Sequence, residues 1–397
     1  MKNLLLLITF TFFLSVFSFS QEYGWTDISG NMPEYANLND VHFIGDEIWI
    51  SGWNNGVFYS SDGGETFQIQ PIPANSGITS SVFMKTAELG YVVTYLGNIL
   101  KTTDGGTTWT TMYEPGGVLN SVHFPPNSET GYACGTNGTV WSFDDTSITD
   151  ISPPDNASNL QSICFPEDNN DGKVCGQTTV ARYLNNTWSN LQFYDCTLFY
   201  NSIFFIDDTT GWSVGINGTI IRTINGTHWV VKASNTTKNL NDVFFINSLE
   251  GWSAGTEVLL HSVDEGETWT QELASQTIGM ELTAIYFTSA NNGYVVGNYT
   301  VLKYGELSGI GEEIKSLQCN ISPNPAKDKL QIKCPDFRTE SGTIAILSLY
   351  GKELLKREIV KGVENIEIDV NKLESGMYFC RVRVDNKSVT KKLIIQK

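Results

Sequence analysis

Basic side chains are scarce through most of this chain. Residues 21–312 hold 8 Lys and Arg against 32 Asp and Glu, and only two of the eight are arginines, Arg182 and Arg222. A body this acidic repels polyanions, which excludes nucleic acid and anionic membrane surfaces as partners. Histidine is scarcer still: His42, His123, His228 and His261 are scattered, with no H-x-x-x-H zinc spacing and no nucleophile–histidine pairing. There is no G-x-S-x-G elbow and no phosphate-binding loop. The seven cysteines lack C-x-x-C and haem-attachment spacings, and an odd number leaves at least one outside any intramolecular disulfide. Asp168–Gly172 (DNNDG) touches the calcium-loop pattern but lacks most of its ligands. No metal and no cofactor is therefore assigned.

Long apolar runs are also missing, with one exception at the start. Lys2 precedes an apolar run from Leu4 to Phe17, and the small residues Ser18 and Ser20 stand before Gln21. That pattern reads as a secretory signal over residues 1–20, too short for a membrane span, so the mature form is expected to carry no span and to work outside the cytoplasm. The charge changes sign near residue 312: residues 313–397 hold 16 Lys and Arg against 11 Asp and Glu. Such a switch marks a domain boundary.

What the chain has in abundance is glycine, 36 residues, and repetition. One strand pattern recurs at Leu38, Ile78, Leu119, Leu160, Tyr200, Leu240 and Leu282, at intervals of 40 to 42 residues. The copies read LNDVHF, ITSSVF, LNSVHF, LQSICF, YNSIFF, LNDVFF and LTAIYF, so Phe43, Phe83, Phe124, Phe165, Phe205, Phe245 and Phe287 are expected at equivalent places. In that alignment His42 and His123 share a position with Val82, Cys164, Phe204, Phe244 and Tyr286. A second strand follows (GYVV, GYAC, GWSV, GWSA), then a Gly or Asn-Gly turn, a third strand and a fourth bearing Trp or Phe. Four short strands in about 40 residues is one propeller blade, and blades bury one another's faces. The seventh repeat stops after its third strand at Val301–Tyr304. The mature start, YGWTDIS, has the fourth-strand pattern, with Trp25 where Trp109 and Trp269 stand. Residues Tyr23–Ser29 are thus expected to close the ring.

Turns between third and fourth strands read SSDGGETF, TTDGGTTW and SVDEGETW, placing Asp62, Asp104 and Asp264 alike. Each Asp accepts N–H bonds within the turn while Gly permits positive φ, so these carboxylates read as structural. The copies at Ser142 and Thr223 are degenerate, and the fourth repeat lacks the box. This hairpin resembles the Asp-box, and residues 23–307 resemble propellers of the photosystem II stability and assembly factor type within the wider BNR-repeat group. The resemblance implies the fold and little about activity.

From Ser308 the chain changes character. ISPNPAKDKLQI, SLYGKELLKREI, IEIDVNKLESGMYFCRV and TKKLIIQK alternate like strands of a small sandwich. Their order resembles the type A sorting domain of type IX secretion, through Pro323, Asn324, Pro325, Gly351, Gly376, Tyr378, Lys391 and Lys392. The resemblance implies recognition by the type IX secretion machinery at the outer membrane of a Gram-negative bacterium, with the product secreted or held at the cell surface. The expected architecture is all-β: a signal peptide at 1–20, a seven-bladed β-propeller at 21–307, a linker at 308–316, and an immunoglobulin-like β-sandwich sorting domain at 317–397.

Sialidases share propellers and Asp-boxes, but an arginine cluster for a substrate carboxylate is missing here. Asp207, Asp208, Glu167 and Asp168 lie in turns between first and second strands. The loops between second and third strands carry Trp53, Tyr95 and Tyr299 on adjacent blades, where aromatic rings suit a neutral sugar or a protein anchor. The sequence thus reads as an exported binding propeller for an extracellular glycan or protein ligand. The alternative is an extracellular glycoside hydrolase using loop carboxylates.

Overall fold

The computed structural model describes residues 23–34, 36–53, 56–153, 158–190, 199–273, 276–306, 317, 319–347, 353–384 and 387–397. The signal segment 1–20, the linker 308–316, Gly351 and the Asn54–Asn55 turn lie outside the described residues.

Seven four-stranded antiparallel sheets follow one another along residues 23–306. In blade 1 the strands are Leu38–Ile44, Glu47–Gly52, Gly56–Ser60 and Gln68–Pro71. Six blades are built from consecutive strands. The seventh takes Leu282–Ser289, Asn292–Gly297 and Thr300–Glu306 from one end and Tyr23–Asp27 from the other. Trp25 lies opposite Tyr304, which lies opposite Gly293, the register that Trp229, Thr223 and Gly211 keep in blade 5. The ring is therefore closed by main-chain pairing between its two ends, as the mature N-terminal pattern implied.

Core packing explains the repeated Phe and Gly. In blades 3 to 7 the Phe at the end of the first strand lies over a Gly at the start of the second, and a Cβ on Gly211 would come within 2.6 Å of the Phe205 ring. In blade 2 the residue over Gly90 is Met84, 2.0 Å from such a Cβ. The expected alignment of that repeat is thus off by one. Thr79 pairs with Thr94 and Ser81 with Val93, as Leu38 pairs with Gly52 and Asp40 with Ser51. Phe83, not Val82, shares the place of His42. An isoleucine one residue too early had mimicked the Leu that opens the other copies.

Residues just inside most of the first strands stitch neighbouring blades together. Asn39 Nδ2 donates to Thr79 O at 2.8 Å, Asn120 Nδ2 to Leu160 O at 2.6 Å and Asn201 Nδ2 to Leu240 O at 2.8 Å. Thr283 Oγ1 donates to Leu38 O at 2.7 Å across the closing joint. The recurrent Asn is a blade-to-blade clasp that satisfies carbonyls left over at the inner edge of each sheet.

The C-terminal region forms two sheets. One holds Asn320–Ser322, Lys329–Lys333 and Asn365–Asp369; the other holds Glu353–Ile359, Gly342–Leu347, Gly376–Val384 and Lys387–Ile395. Leu330, Ile332, Ile366 and Ile368 from the first meet Ile344, Ile346, Val382 and Leu393 from the second in one apolar core. Cys319 and Cys334 are joined by a disulfide, while Cys134, Cys164, Cys175 and Cys380 are buried free thiols. Among the described residues no helix is long and apolar enough to cross a membrane.

Candidate functional site

The seven first strands enclose a cavity of ≈ 990 Å³ on the propeller axis. Alternate residues of a strand share a face, so the third and fifth positions of each copy form two layers along this channel. The fifth positions are His42, Phe83, His123, Cys164, Phe204, Phe244 and Tyr286. Ring centroids are 4.8 Å apart for Phe204–Phe244, 5.0 Å for Phe244–Tyr286, 4.5 Å for Tyr286–His42, 5.0 Å for His42–Phe83 and 5.4 Å for Phe83–His123. An aromatic girdle thus runs through six blades and breaks only at Cys164.

The third positions are small or hydroxylic except in blades 1 and 6, which carry Asp40 and Asp242. Asp40 accepts from Val41 N at 2.8 Å, Ser81 Oγ at 2.7 Å and Val82 N at 3.1 Å. Asp242 accepts from Ser202 Oγ at 2.6 Å, Val243 N at 2.9 Å and Ile285 N at 2.8 Å. Burial pushes both carboxyls above the usual range, that of Asp242 to about 7, with the Asp40 charge adding to it. His42 is 7% exposed and its Nδ1 has no hydrogen-bond partner. Burial, with His123 adding, lowers its pKa to about 3, so the ring is neutral at pH 7. His123 is likewise lowered to about 4 by burial, with Nε2 3.0 Å from Phe165 O. The repeat pattern puts both histidines at one position, and Asp40 and Asp242 are assigned no role from the sequence. Their signal was there: two Asp at a position that other copies fill with Ser or Ala.

Blade 4 departs from the pattern twice. Cys164 replaces the girdle ring and Lys173, directly opposite, replaces the aromatic of the second strand. The Lys173 side chain is fully buried, with Nζ 3.1 Å from Asp171 Oδ1, 3.7 Å from Asp208 Oδ1 and 4.6 Å from the Phe205 ring centroid. Arg182 completes the group with bonds of 2.8 and 2.5 Å to the two Asp171 oxygens. The calcium-like DNNDG stretch is therefore spent on an internal ion network, with Asp168 turned to Asn170 N at 2.7 Å. Burial raises the Cys164 thiol to about 11, which leaves it protonated and a poor nucleophile.

The Asp-box carboxylates sit at the rim in matching turns. Asp62 accepts from Ser60 Oγ at 2.7 Å, Thr66 N at 2.9 Å and Thr66 Oγ1 at 2.6 Å, and these bonds lower its pKa to about 2. Asp104 and Asp264 make the same three contacts with Thr102 and Thr108, and with Ser262 and Thr268. In blade 5 Asn225 takes the place of the Asp, accepting from His228 N at 2.8 Å.

The three loop aromatics are placed differently from one another. Trp53 is 55% exposed at its loop, Tyr95 lines the channel, and Tyr299 has its ring centroid 5.6 Å from Phe379 of the C-terminal region. Arg383 Nη2 donates to Gly30 O at 2.9 Å beside the closing strand. Of the loop carboxylates, Asp207 is turned to Thr209 N and Thr210 N, both at 2.7 Å. In the C-terminal region Asn324 joins the motif to the last strand: its Nδ2 donates to Lys392 O and its Oδ1 accepts from Ile394 N, both at 2.8 Å. Tyr378 pairs with Leu393, and Gly376 with Ile395, on the neighbouring strand. Pro323–Pro325, Gly376, Tyr378, Lys391 and Lys392 thus gather along the final strand and the segment beside it.

Comparison with known proteins agrees with this division. Residues 320–396 match the secretion system C-terminal sorting domain family. Residues 180–271 and 228–305 match the photosynthesis system II assembly factor YCF48 family. The photosystem II assembly lipoprotein Ycf48 of Synechococcus sp. (strain CC9902) is 32% identical over 91 residues, 21% of this chain and 26% of that protein. The chain thus spans about a quarter of the curated relative it matches. YCF48 from Cyanidioschyzon merolae superposes with a TM-score of 0.58 at 18% identity, covering 71% of this chain and 98% of the other. YCF48 bound to D1 peptide gives 0.59 at 19%, covering 71% and 96%, and a streptogramin B lyase gives 0.61 at 14%, covering 72% and 98%. At these identities the superpositions speak for the fold alone. The chain joins a β-propeller with repeats of the Ycf48-like BNR type to a C-terminal sorting domain of the type IX secretion system.

Proposed function

We propose that this protein is an exported binding propeller, which seats a segment of an extracellular polypeptide at its central channel. The observation that carries the reading is the channel itself: a ≈ 990 Å³ cavity walled by an aromatic girdle, with specific polar groups at one layer. Concave sites that combine apolar walls with fixed polar groups serve as binding sites. The solved YCF48 structure with a D1 peptide supports a propeller of this shape holding a peptide. The sorting domain supports delivery by type IX secretion to the surface or beyond the cell. The turn-bound loop carboxylates and the buried, protonated Cys164 thiol offer a hydrolase little to work with. A neutral glycan is the second reading, favoured by the exposed Trp53 face and by Tyr95 at the channel.

Peptide and glycan arrays probed with the purified chain, with hydrolysis products monitored, test the proposal. Saturable retention of peptides supports it; retention of glycans alone, or release of sugar, replaces it with the second reading or with a hydrolase. Export is tested separately by deleting residues 313–397, which is expected to strand the propeller in the periplasm of its host. Normal appearance of the truncated chain in the medium would remove the sorting role.

A further inference from the structure

We propose that the channel takes an organic cation, an ammonium or guanidinium group on a carbon stem such as a lysine or arginine side chain. The cation would sit between the Asp40 and Asp242 carboxyls and the adjoining aromatic girdle. The inference rests on the polypeptide reading above and names the side-chain class that the site selects.

The carboxyls belong to blades 1 and 6, and the blade between them carries Ala284 in the same layer. The shortest side chain of the layer therefore stands between the two charged ones, with Asp242 turned toward the Ala284 blade through Ile285 N. Each carboxylate accepts three bonds from the fold, and a carboxylate has about four acceptor sites, so each keeps capacity for one more donor. Two residues farther along the same strands stand Phe244, Tyr286 and His42, a continuous arc of the girdle on these same three blades. Ring faces beside paired carboxylates suit a cation on a carbon stem better than a bare ion.

The second observation is independent of the carboxyls. His42 is 7% exposed, lines the cavity, and leaves Nδ1 unpartnered. A neutral imidazole has one donor and one acceptor nitrogen, and an unfilled polar atom at this depth is costly unless a ligand meets it. The fold does not supply the missing cation. Among the described residues the basic side chain lining the cavity is Lys85, which is paired with Glu129 at 2.9 Å. Nor do the described residues gather three or more metal-ligating side chains anywhere, which argues against a divalent ion. The excess of 32 acidic over 8 basic residues in 21–312 draws cations toward the ring at long range.

The test is calorimetric titration of the mature chain with n-butylammonium chloride and n-butylguanidinium chloride, with n-butanol and calcium chloride as comparators. Saturable binding of at least one organic cation is expected, with no binding of butanol and weaker binding of calcium. D242N and D40N should each weaken it about tenfold, and His42→Phe less. Should the variants fold poorly, the parent decides by itself: affinity should fall several-fold between pH 8 and pH 5.5. The titratable groups lining the cavity are Asp40, Asp242, His42, His123, Cys164, Tyr95, Tyr286 and Lys85. Asp242, raised to about 7, changes charge in that window, whereas His42 lies near 3, His123 near 4, Cys164 near 11 and Tyr286 near 12. No saturable heat, an affinity indifferent to pH and to D242N, or preference for calcium would each overturn the proposal. If array peptides bind the parent and D242N alike, polypeptide binding survives and the cation pocket falls. If the butyl cations bind while no peptide does, the pocket stands and the polypeptide reading falls.

Discussion

Five aspartates of the propeller divide into two sets with opposite physics. At the rim, Asp62, Asp104 and Asp264 are held by hydroxyl and backbone donors of their own turns, and their pKa values are lowered by those bonds. At the hub, Asp40 and Asp242 also accept three bonds each, yet burial outweighs them and the pKa values rise. Hydrogen bonds alone therefore do not decide the sign: at the hub desolvation by the surrounding protein exceeds them, and at the rim it does not. The rim set recurs with its turn from blade to blade, as a structural device must. The hub set occurs in two blades and breaks a layer of small residues.

The sharpest way to break the comparison is Asp242→Ala. Three donors from blades 5, 6 and 7 lose their acceptor, and a loss of about 3 kcal/mol is expected in equilibrium urea unfolding at pH 6. A change near zero would mean that the carboxyl is not tied into the ring as described. At the rim, Asp264→Ala releases an exposed turn whose donors turn to water, so about 1 kcal/mol is expected in the same measurement. A larger loss at the rim than at the hub would reverse the reading.

Acidity gives a finer test. Because the folded pKa of Asp242 is raised to about 7 from an ordinary 3.8, the folded state binds the extra proton between those values. Its contribution to stability is full below about 4 and is lost as pH rises through 7. His42 and His123, lowered to about 3 and 4, act oppositely: the unfolded chain takes up their protons as pH falls through 6.5. The parent should therefore gain melting temperature relative to D242N on going from pH 8 to pH 5, while His42→Phe should gain relative to the parent. Parallel curves for all three would show that these groups do not titrate as buried residues. Asp62, lowered to about 2, acts like an ordinary salt-bridged carboxylate: its contribution is present above about 4 and lost as pH falls toward 2. Asp62→Ala should thus flatten the curve only below pH 4, the smallest effect of the series.

Much of the fold was legible in the sequence because each blade repeats the same contacts. The Phe over Gly, the clasp residue at the inner edge and the Asp-box turn are local devices, so their residues lie a few positions apart or one repeat apart. The one slip, in blade 2, came where Ile78 stood a residue ahead of the true strand start and Met84 took the role of Phe. The loop aromatics illustrate the opposite case. Trp53, Tyr95 and Tyr299 occupy equivalent loops, yet one faces solvent, one the channel and one Phe379, because the neighbours of a loop tip are set by other blades and by the C-terminal region.

The amino-acid sequence by itself determined the repeat, the strand order within each blade, the closing role of Tyr23–Asp27 and the sorting motif. The first three follow from periodicity and from residue types demanded by turns and close packing; the sorting motif came from resemblance to a known family. Only the tertiary structure decided that Asp40, Asp242 and His42 line one channel and that Lys173 is held in an internal ion network. Closing seven blades into a ring brings together residues that lie 40 to 240 positions apart in the chain. Whether a polar side chain there meets water, a partner or nothing depends on that closure, which no local pattern records.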